Sequence, residues 1–214
     1  MNKTKLRRSL LRLGSIALGS CSKSGGNEFT AEGTITDAAG KTLYLETTDT
    51  DEPQLIDSVT LDEKGRFRFR REAHSYPAFY RLRLGESFIP FAADSLTHLT
   101  LSASGKDPFS TYKIESGDEA NKQIREIGQL RTATDKAIEA ILTQLNNGTL
   151  DRGIALARID SLSTQLKNTL TSKYIFSDPK GAAAYYALFQ SYLGGTYFSI
   201  DHPGDDRAFA AVAT

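Results

Sequence analysis

Residues 113–127 read KIESGDEANKQIREI, and the hydrophobic pattern of the chain changes inside this stretch. Before Gly117, apolar and polar residues alternate over short runs, which is the period of a β-strand with one buried face. After Gly117, Ile124 and Ile127 begin a series of apolar residues spaced three and four apart, which is the period of an amphipathic helix. The chain is therefore predicted to have an α+β fold, with an N-terminal β part and a C-terminal helical segment.

The β part is predicted to span residues 29–117 and to contain seven to eight strands. Alternation is clearest in RFRFR (66–70) and AFYRLRL (78–84), where apolar residues occupy one face and arginines the other. Turn residues such as Gly40 separate the runs. Short strands at this spacing are typical of an antiparallel β-sandwich or an open barrel.

The helical segment is predicted to span residues 118–214 and to contain three to four helices. Ser116 or Asp118 can cap the first helix, and Asn147-Gly148 can end it. The predicted buried face of this helix consists of Ile124, Ile127, Leu130, Ile138, Ile141 and Leu145. The predicted buried face of the second helix consists of Ile159, Leu162, Leu166, Leu170 and Tyr174.

Two further helices are expected toward the end of the chain. One is predicted to begin at Ser177-Asp178-Pro179 and to end at Gly194-Gly195, and the other to begin near Asp205. The chain stops within the apolar stretch RAFAAVAT (207–214), without a capping residue. We therefore expect the helical segment to be truncated at its C-terminus.

The charges of the chain are unevenly distributed. The composition, 39% hydrophobic and 24% charged, is that of an ordinary globular protein. The first twenty residues carry five basic side chains and no acidic one. Without them the remaining chain has 21 basic and 26 acidic groups, a net charge of −5. General nucleic-acid binding depends on contacts from Lys and Arg to phosphate, so it is not expected here.

The N-terminal residues resemble a bacterial export signal. Residues 1–20 combine a basic start, an apolar stretch interrupted by Arg12, and two small residues, which predicts a signal peptide. Residues Leu18-Gly19-Ser20-Cys21 resemble the lipobox of bacterial lipoproteins. That resemblance implies cleavage before Cys21, a lipid on the Cys21 thiol, and a tether over residues 21–28. The alternative is a leader that contains an incidental free thiol.

The lipobox resemblance also implies a location. Several acyl chains hold a protein firmly at a membrane, whereas a single chain holds it only marginally. Ser22 stands where lipoproteins of the inner membrane often have aspartate, and no acidic run follows Cys21. We expect an exported, lipid-anchored protein of the bacterial cell envelope that faces the periplasm.

Candidate chemistry is sparse along the rest of the chain. A single cysteine excludes an intrachain disulfide, a Cys-Cys metal site and a C-x-x-C redox pair within these residues. No G-x-S-x-G or H-E-x-x-H motif occurs. We therefore predict no catalytic residue, no metal and no cofactor. The isolated histidines are His74, His98 and His202.

Arginines on two strands form the most unusual feature of the predicted surface. If these strands are neighbours, their arginines meet on one face and need acidic neighbours to offset repulsion. Such a face can bind an acidic partner or lipid headgroups, or it can be a solvated face that discourages edge pairing. The predicted interaction surface consists of Arg66, Arg68, Arg70, Arg81 and Arg83.

Three short motifs resemble the acceptor sites of Bacteroidetes O-glycosylation, in which Asp is followed by Ser or Thr and an aliphatic residue. They place candidate modified hydroxyl groups at Ser58, Ser95 and Ser161. Such modification is consistent with export of the chain.

Longer stretches resemble a domain of unknown function in Bacteroidetes lipoproteins, a β-rich module followed by helices. The resemblance lies in Ile56-Asp57-Ser58, in Gly65-Arg66-Phe67-Arg68-Phe69 and in FSDPKGAAAYYALF (176–189). In many relatives a thioredoxin-like thiol-disulfide oxidoreductase domain follows. That domain is absent from this sequence, so no catalytic residue carries over.

The sequence thus predicts a non-catalytic, lipid-anchored module of the cell envelope. It would act as a spacer or partner-docking domain, as the accessory part of a thiol-disulfide oxidoreductase system. Its predicted partners are the membrane, through lipid on Cys21, and a downstream or separate thioredoxin-like domain. One alternative is the N-terminal fragment of a periplasmic thioredoxin-like disulfide reductase. Another is a ligand- or glycan-binding β-sandwich, although no aromatic platform stands out in the sequence.

Overall fold

The computed structural model describes residues 27–48, 52–192 and 195–213. Cys21 and the lipobox residues Leu18, Gly19 and Ser20 lie outside the described residues. The described strands are β1 (Glu28–Thr36), β2 (Thr42–Thr47), β3 (Gln54–Thr60), β4 (Arg66–Glu72), β5 (Ala78–Leu84), β6 (Ser87–Ala93), β7 (His98–Ser104), β8 (Lys113–Ile114), β9 (Ser191–Tyr192) and β10 (Gly195–Thr196). The described α-helices are α1 (Pro108–Thr111), α2 (Glu119–Asn146), α3 (Arg152–Leu170), α4 (Ala182–Leu188) and α5 (Asp206–Ala213), with a π-helical turn at Thr171–Ile175.

The first eight strands form two four-stranded sheets. The first sheet has the order β4-β1-β7-β8 and the second has the order β3-β2-β5-β6. Neighbouring strands are antiparallel except for β1 and β7, which run parallel. The predicted α+β fold, with strands preceding helices, is confirmed. The parallel pair was not predicted, because side-chain alternation is the same for either strand direction.

The two sheets face each other across one apolar core. The Phe29 ring of β1 lies 4.7 Å from the ring of Tyr80 on β5 and 6.0 Å from that of Phe91 on β6, centroid to centroid. Phe67 and Phe69 are buried, as their alternation with arginine predicts. The β part is therefore a sandwich whose inner faces supply the core.

The helices form a second apolar core beside the second sheet. Ile124 and Ile127 of α2 are fully buried there together with Ala92 of β6. Ile138 and Ile141 are also buried, whereas Leu130 is exposed. Most of the predicted apolar face of α2 is thus buried. No described helix is both long enough and apolar enough to cross a membrane.

Helix α2 begins where the sequence predicts. The Asp118 carboxylate accepts a hydrogen bond from the backbone N–H of Asn121, which is a side-chain N-cap. The Asn121 amide also accepts from the Ala92 N–H and donates to the Ala92 carbonyl, both at 2.8 Å. Asn121 therefore supplies hydrogen-bond partners for the backbone N–H and C=O of Ala92 at the edge of β6, as a neighbouring strand would. It also joins the helices to the sandwich.

The third predicted helix is much shorter in the structure. Ser177 donates its hydroxyl hydrogen to the Lys173 carbonyl, so it closes the preceding turn and does not cap α4. Helix α4 starts after Gly181 and ends at Leu188. Beyond it, β9 and β10 pair as a small antiparallel ladder. Aromatic residues beside Gly194-Gly195 favour strands around a turn over continued helix, and the helical interpretation missed this signal.

Candidate functional site: an aromatic groove with a basic wall

The predicted arginine surface is divided between the two sheets. Arg66, Arg68 and Arg70 lie on β4 at the edge of the first sheet, whereas Arg81 and Arg83 lie on β5 inside the second. The two strands are consecutive in the chain but are not neighbours in a sheet. The expectation that their arginines meet on one face is therefore wrong.

On the first sheet each arginine of β4 has an acidic partner. Arg66 pairs with Asp62 at 2.6 Å, Arg70 with Glu28 at 2.6 Å, and Arg68 with Glu32 at 3.3 Å. These arginine side chains are about half exposed or more, so solvent screens each pair and none contributes much to stability. The exposed face of β4 thus has the character of a solvated, charge-balanced surface.

On the second sheet one carboxylate holds two arginines. Glu46 of β2 accepts a hydrogen bond from Arg81 Nε at 2.6 Å and from Arg83 Nε at 2.7 Å. The Glu46 side chain is only 7% exposed. The Arg83 guanidinium also lies 4.3 Å from the Tyr44 ring centroid, and that of Arg81 lies 5.2 Å from the Phe88 ring centroid. Both arginines are therefore fixed in position against aromatic rings.

The Glu46 carboxylate is ionised in this cluster. Burial alone would raise its pKa, but the hydrogen bonds from Arg83 and Arg81 outweigh burial and hold the pKa of Glu46 below its ordinary value. Because Glu46 binds Arg81 through Nε, the terminal amino groups of Arg81 are not used by this ion pair. Arg81 lines the groove described next.

A groove of about 830 Å³ lies between the second sheet and α4. Strand β5 contributes Phe79 and Arg81 to its wall, and β6 contributes Phe88. The opposite wall includes Tyr185 of α4 and Phe189, the C-cap residue that directly follows this helix. We call this site the aromatic groove; its lining aromatic residues are Tyr76, Phe79, Tyr80, Phe88, Tyr185, Tyr186 and Phe189, of which Tyr80 is buried.

The rings of the aromatic groove are close to one another but remain accessible. Phe79 stacks on Tyr185 at 5.4 Å, and Tyr185 lies 4.6 Å from Phe189, centroid to centroid. The residues Tyr185 and Phe189 are 48% and 52% exposed, and Phe88 is 39% exposed. Apolar surface gathered in one concave site is typical of an interaction site, whereas single exposed residues carry no such meaning.

Among the described residues, the charged side chains that line the groove are both basic. Arg81 and Lys180 contribute two cations, and the described part of the lining contains no Asp or Glu. The predicted mature chain has a net charge of −5, so this basic wall is a local departure from its surroundings. The groove therefore favours ligands that combine apolar or aromatic groups with negative charge.

Sequence reasoning did not find this groove. Phe79 and Tyr185 are separated by more than a hundred residues, and the run AAAYYALF (182–189) indicates only a helix when taken alone. The one available signal was the i, i+4 spacing of Tyr185 and Phe189, in a stretch whose other apolar residues are mostly alanine.

The other predicted sites lie apart from the groove. Ser58 is exposed on β3, Ser95 is half-buried in the β6–β7 loop, and Ser161 is exposed on α3. His202 lies 3.9 Å from Asp205, whose carboxylate also accepts from Lys167 and from the Ser199 N–H. Within the described ranges, no three His, Cys, Asp or Glu residues form a group that could hold a metal ion.

Comparisons with known proteins add no identification. No family model matches this chain, and no curated protein matches it. The resemblance to the lipoprotein domain therefore stays a prediction from short motifs.

Proposed function

We propose that this chain is a non-catalytic, lipid-anchored module of the bacterial cell envelope that docks an extended acidic segment of a partner protein in the aromatic groove. The observation that carries the docking role is the groove itself, in which exposed Tyr185, Phe189 and Phe88 surround a wall containing Arg81 and Lys180. The lipid anchor is supported by the lipobox-like residues Leu18 to Cys21.

A peptide suits this groove better than a glycan does. Aromatic-lined grooves dock extended, proline-rich peptide segments in several known recognition modes, and aromatic rings dominate the lining of this groove. A sugar presents many hydroxyl donors, and the described residues of the lining offer no carboxylate to accept them. Acidic side chains on a peptide would instead meet Arg81 and Lys180.

The docking role predicts a sequence preference that can be selected for directly. Panning a random peptide library on the purified protein should enrich sequences that combine Asp or Glu with Pro or an aromatic residue. The double change Tyr185→Ala and Phe189→Ala should weaken binding of the enriched peptides about 100-fold, because two ring contacts worth about 1–1.5 kcal/mol each are lost. Fluorescence anisotropy of a labelled, selected peptide measures the loss.

The control for this experiment is Leu156→Ala, which removes an equally exposed apolar side chain from α3, outside the groove. It should leave peptide affinity unchanged. Enrichment of basic peptides, or equal affinity for the double variant and the wild type, would contradict the proposal. Binding of oligosaccharides with no enrichment of peptides would favour a glycan-binding sandwich.

The anchor predicts Cys21-dependent labelling by fatty acid. Cells that express the chain and are fed radiolabelled palmitate should label the wild type, and Cys21→Ala should carry no label, since Cys21 is the single cysteine. Ser20→Ala, which keeps a small residue at the lipobox, should be labelled like the wild type. Equal label on Cys21→Ala and the wild type would remove the anchor from the proposal.

A thioredoxin-like domain is a second candidate context for the same groove. The stretch FSDPKGAAAYYALF, which carries part of the family resemblance, also supplies Tyr185 and Phe189 to the groove. The groove would then dock a redox domain, either downstream in the same reading frame or in a separate protein. The DNA beyond codon 214 distinguishes these arrangements, because an in-frame C-x-x-C domain would make this chain the front part of a reductase.

A further inference from the structure

The described chain enters the sandwich at one end, beside two loops. The Ala73 N–H donates to the Asn27 carbonyl at 2.7 Å, so the β4–β5 loop (73–77) lies next to the start of β1. The Thr30 N–H donates to the Thr97 carbonyl at 3.0 Å, which places the β6–β7 loop (94–97) there as well. The Ser95 N–H donates to the His74 carbonyl at 2.9 Å and joins the two loops. We call this part of the sandwich the entry end.

The entry end presents two large apolar side chains to solvent. Leu96 is 81% exposed, more than any other large apolar side chain among the described residues, and Tyr76 is 61% exposed. Isolated exposed residues of this kind carry no functional meaning, but here both lie on loops that are bonded together at the point where the chain enters.

Local contacts order the loops that carry both side chains. The Asp94 carboxylate accepts from the Leu96 N–H at 2.9 Å and from the Thr97 hydroxyl at 2.8 Å, which closes the turn below Leu96. The ring of His74 stacks on that of Tyr76 at 4.8 Å with an angle of 4° between the planes. Leu96 therefore stands at the tip of a closed turn.

Cys21 is six residues before Asn27. Whatever conformation the intervening residues take, six residues span at most about 22 Å. A lipid on Cys21 therefore keeps the entry end within that distance of the bilayer surface. The far end of β5 and β6, at Gly85 and Glu86, lies a further strand length away, about 24 Å for seven residues.

We propose that the entry end is a membrane-contact surface, on which Leu96 and Tyr76 seat in the interface of the bilayer that holds the Cys21 lipid. This inference rests on the proposed lipid anchor. Tyrosine favours the membrane–water interface, where its ring is among acyl chains and its hydroxyl reaches water, and leucine favours the acyl boundary. Tyr76 and Pro77 also line the aromatic groove, so the groove opens beside the membrane.

The composition of the chain allows a direct test. It has no tryptophan, so the tryptophan fluorescence of a single-tryptophan variant comes from one known position. It has one cysteine, so a lipid can be attached at Cys21 alone. The mature chain, residues 21–214, is coupled through Cys21 to a maleimide phospholipid in phosphatidylcholine vesicles. Leu96→Trp is the reporter at the entry end, and Glu86→Trp is the matched control at the far end.

We expect emission from Leu96→Trp to shift to shorter wavelength on coupling and to fall about twofold when the vesicles contain brominated lipid, as for indole rings at the interface. Glu86→Trp should show neither change, and Tyr76→Trp should repeat the result of Leu96→Trp. Equal emission and quenching at Leu96→Trp and Glu86→Trp would overturn the inference. Because the lipid is attached chemically, this result is independent of fatty-acid labelling in cells, which alone tests the anchor.

Discussion

Gly65→Ala is expected to lower the free energy of unfolding by about 3–5 kcal/mol, enough to leave much of the protein unfolded. Gly65 has φ +73°, a left-handed conformation that costs an L-residue about 1–2 kcal/mol. A Cβ at Gly65 would also lie 2.0 Å from the carbonyl oxygen of Ile35. That approach cannot relax easily, because the Ile35 N–H donates to the Gly65 carbonyl at 2.8 Å.

The matched control for this prediction is Gly40→Ala. Gly40 has φ +75°, almost the same conformation, but a Cβ there would have no atom within 4 Å. Its cost should be limited to backbone strain, about 1–2 kcal/mol. Urea denaturation followed by circular dichroism measures both values. If the two variants are equally stable, the close approach of Gly65 to β1 has no energetic importance.

Glu46→Gln is expected to destabilise the protein by about 2–4 kcal/mol, because it leaves Arg81 and Arg83 with a single neutral acceptor between them. This range lies slightly below that for fully buried pairs, since the two arginine side chains are 22% and 31% exposed. The same change should weaken peptide binding in the aromatic groove, where Glu46 positions Arg81. Urea denaturation measures the first effect, and fluorescence anisotropy of a selected peptide measures the second.

Glu32→Gln tests whether burial is the cause. Glu32 pairs with Arg68 at 3.3 Å, and both side chains are largely exposed, so its loss should cost less than about 1 kcal/mol. An equal cost for Glu46→Gln and Glu32→Gln would show that the double arginine cluster is no stronger than a surface pair.

The Glu46 cluster also has a predictable dependence on pH. The pKa of Glu46 is lower in the folded state than its ordinary value of about 4.5, so the folded state binds the proton less readily than the unfolded chain does. Its contribution to stability is therefore full above about pH 4.5 and declines as the pH falls toward the lowered pKa of the folded state. The wild type and Glu46→Gln should accordingly differ less in stability in acid than at neutral pH.

Gly65→Ala and Glu46→Gln bear on the proposed function in different ways. Gly65 belongs to the framework that brings β4 against β1, and its replacement would affect any role of the molecule. Glu46 lies beneath the groove and fixes one of its two cations. A parallel loss of stability and peptide affinity in Glu46→Gln, with normal affinity in Glu32→Gln, would connect the ion pair to docking.

The sequence by itself determined the division into an N-terminal part of strands and a C-terminal part that is mainly helical. Alternation at residues 66–70 and three-to-four spacing after Gly117 follow from backbone geometry, which acts over a few residues. The start of α2 was predicted at Ser116 or Asp118, and the structure shows Asp118, because an N-cap bond spans only three residues. The predictions of a leader and of lipid on Cys21 also depend on neighbouring residues alone, since the lipobox-like motif is four residues long.

Only the tertiary structure decided which of these elements meet. Alternation does not specify strand neighbours, so it could not show that β4 and β5 belong to different sheets or that β1 pairs in parallel with β7. Glu46 reaches Arg81 across a strand pair 35 residues apart in the chain, and Tyr185 reaches Phe79 from a distant helix. Both contacts depend on long-range packing, which no short window of residues contains. The aromatic groove consists of such contacts, so it could be identified only from the tertiary structure.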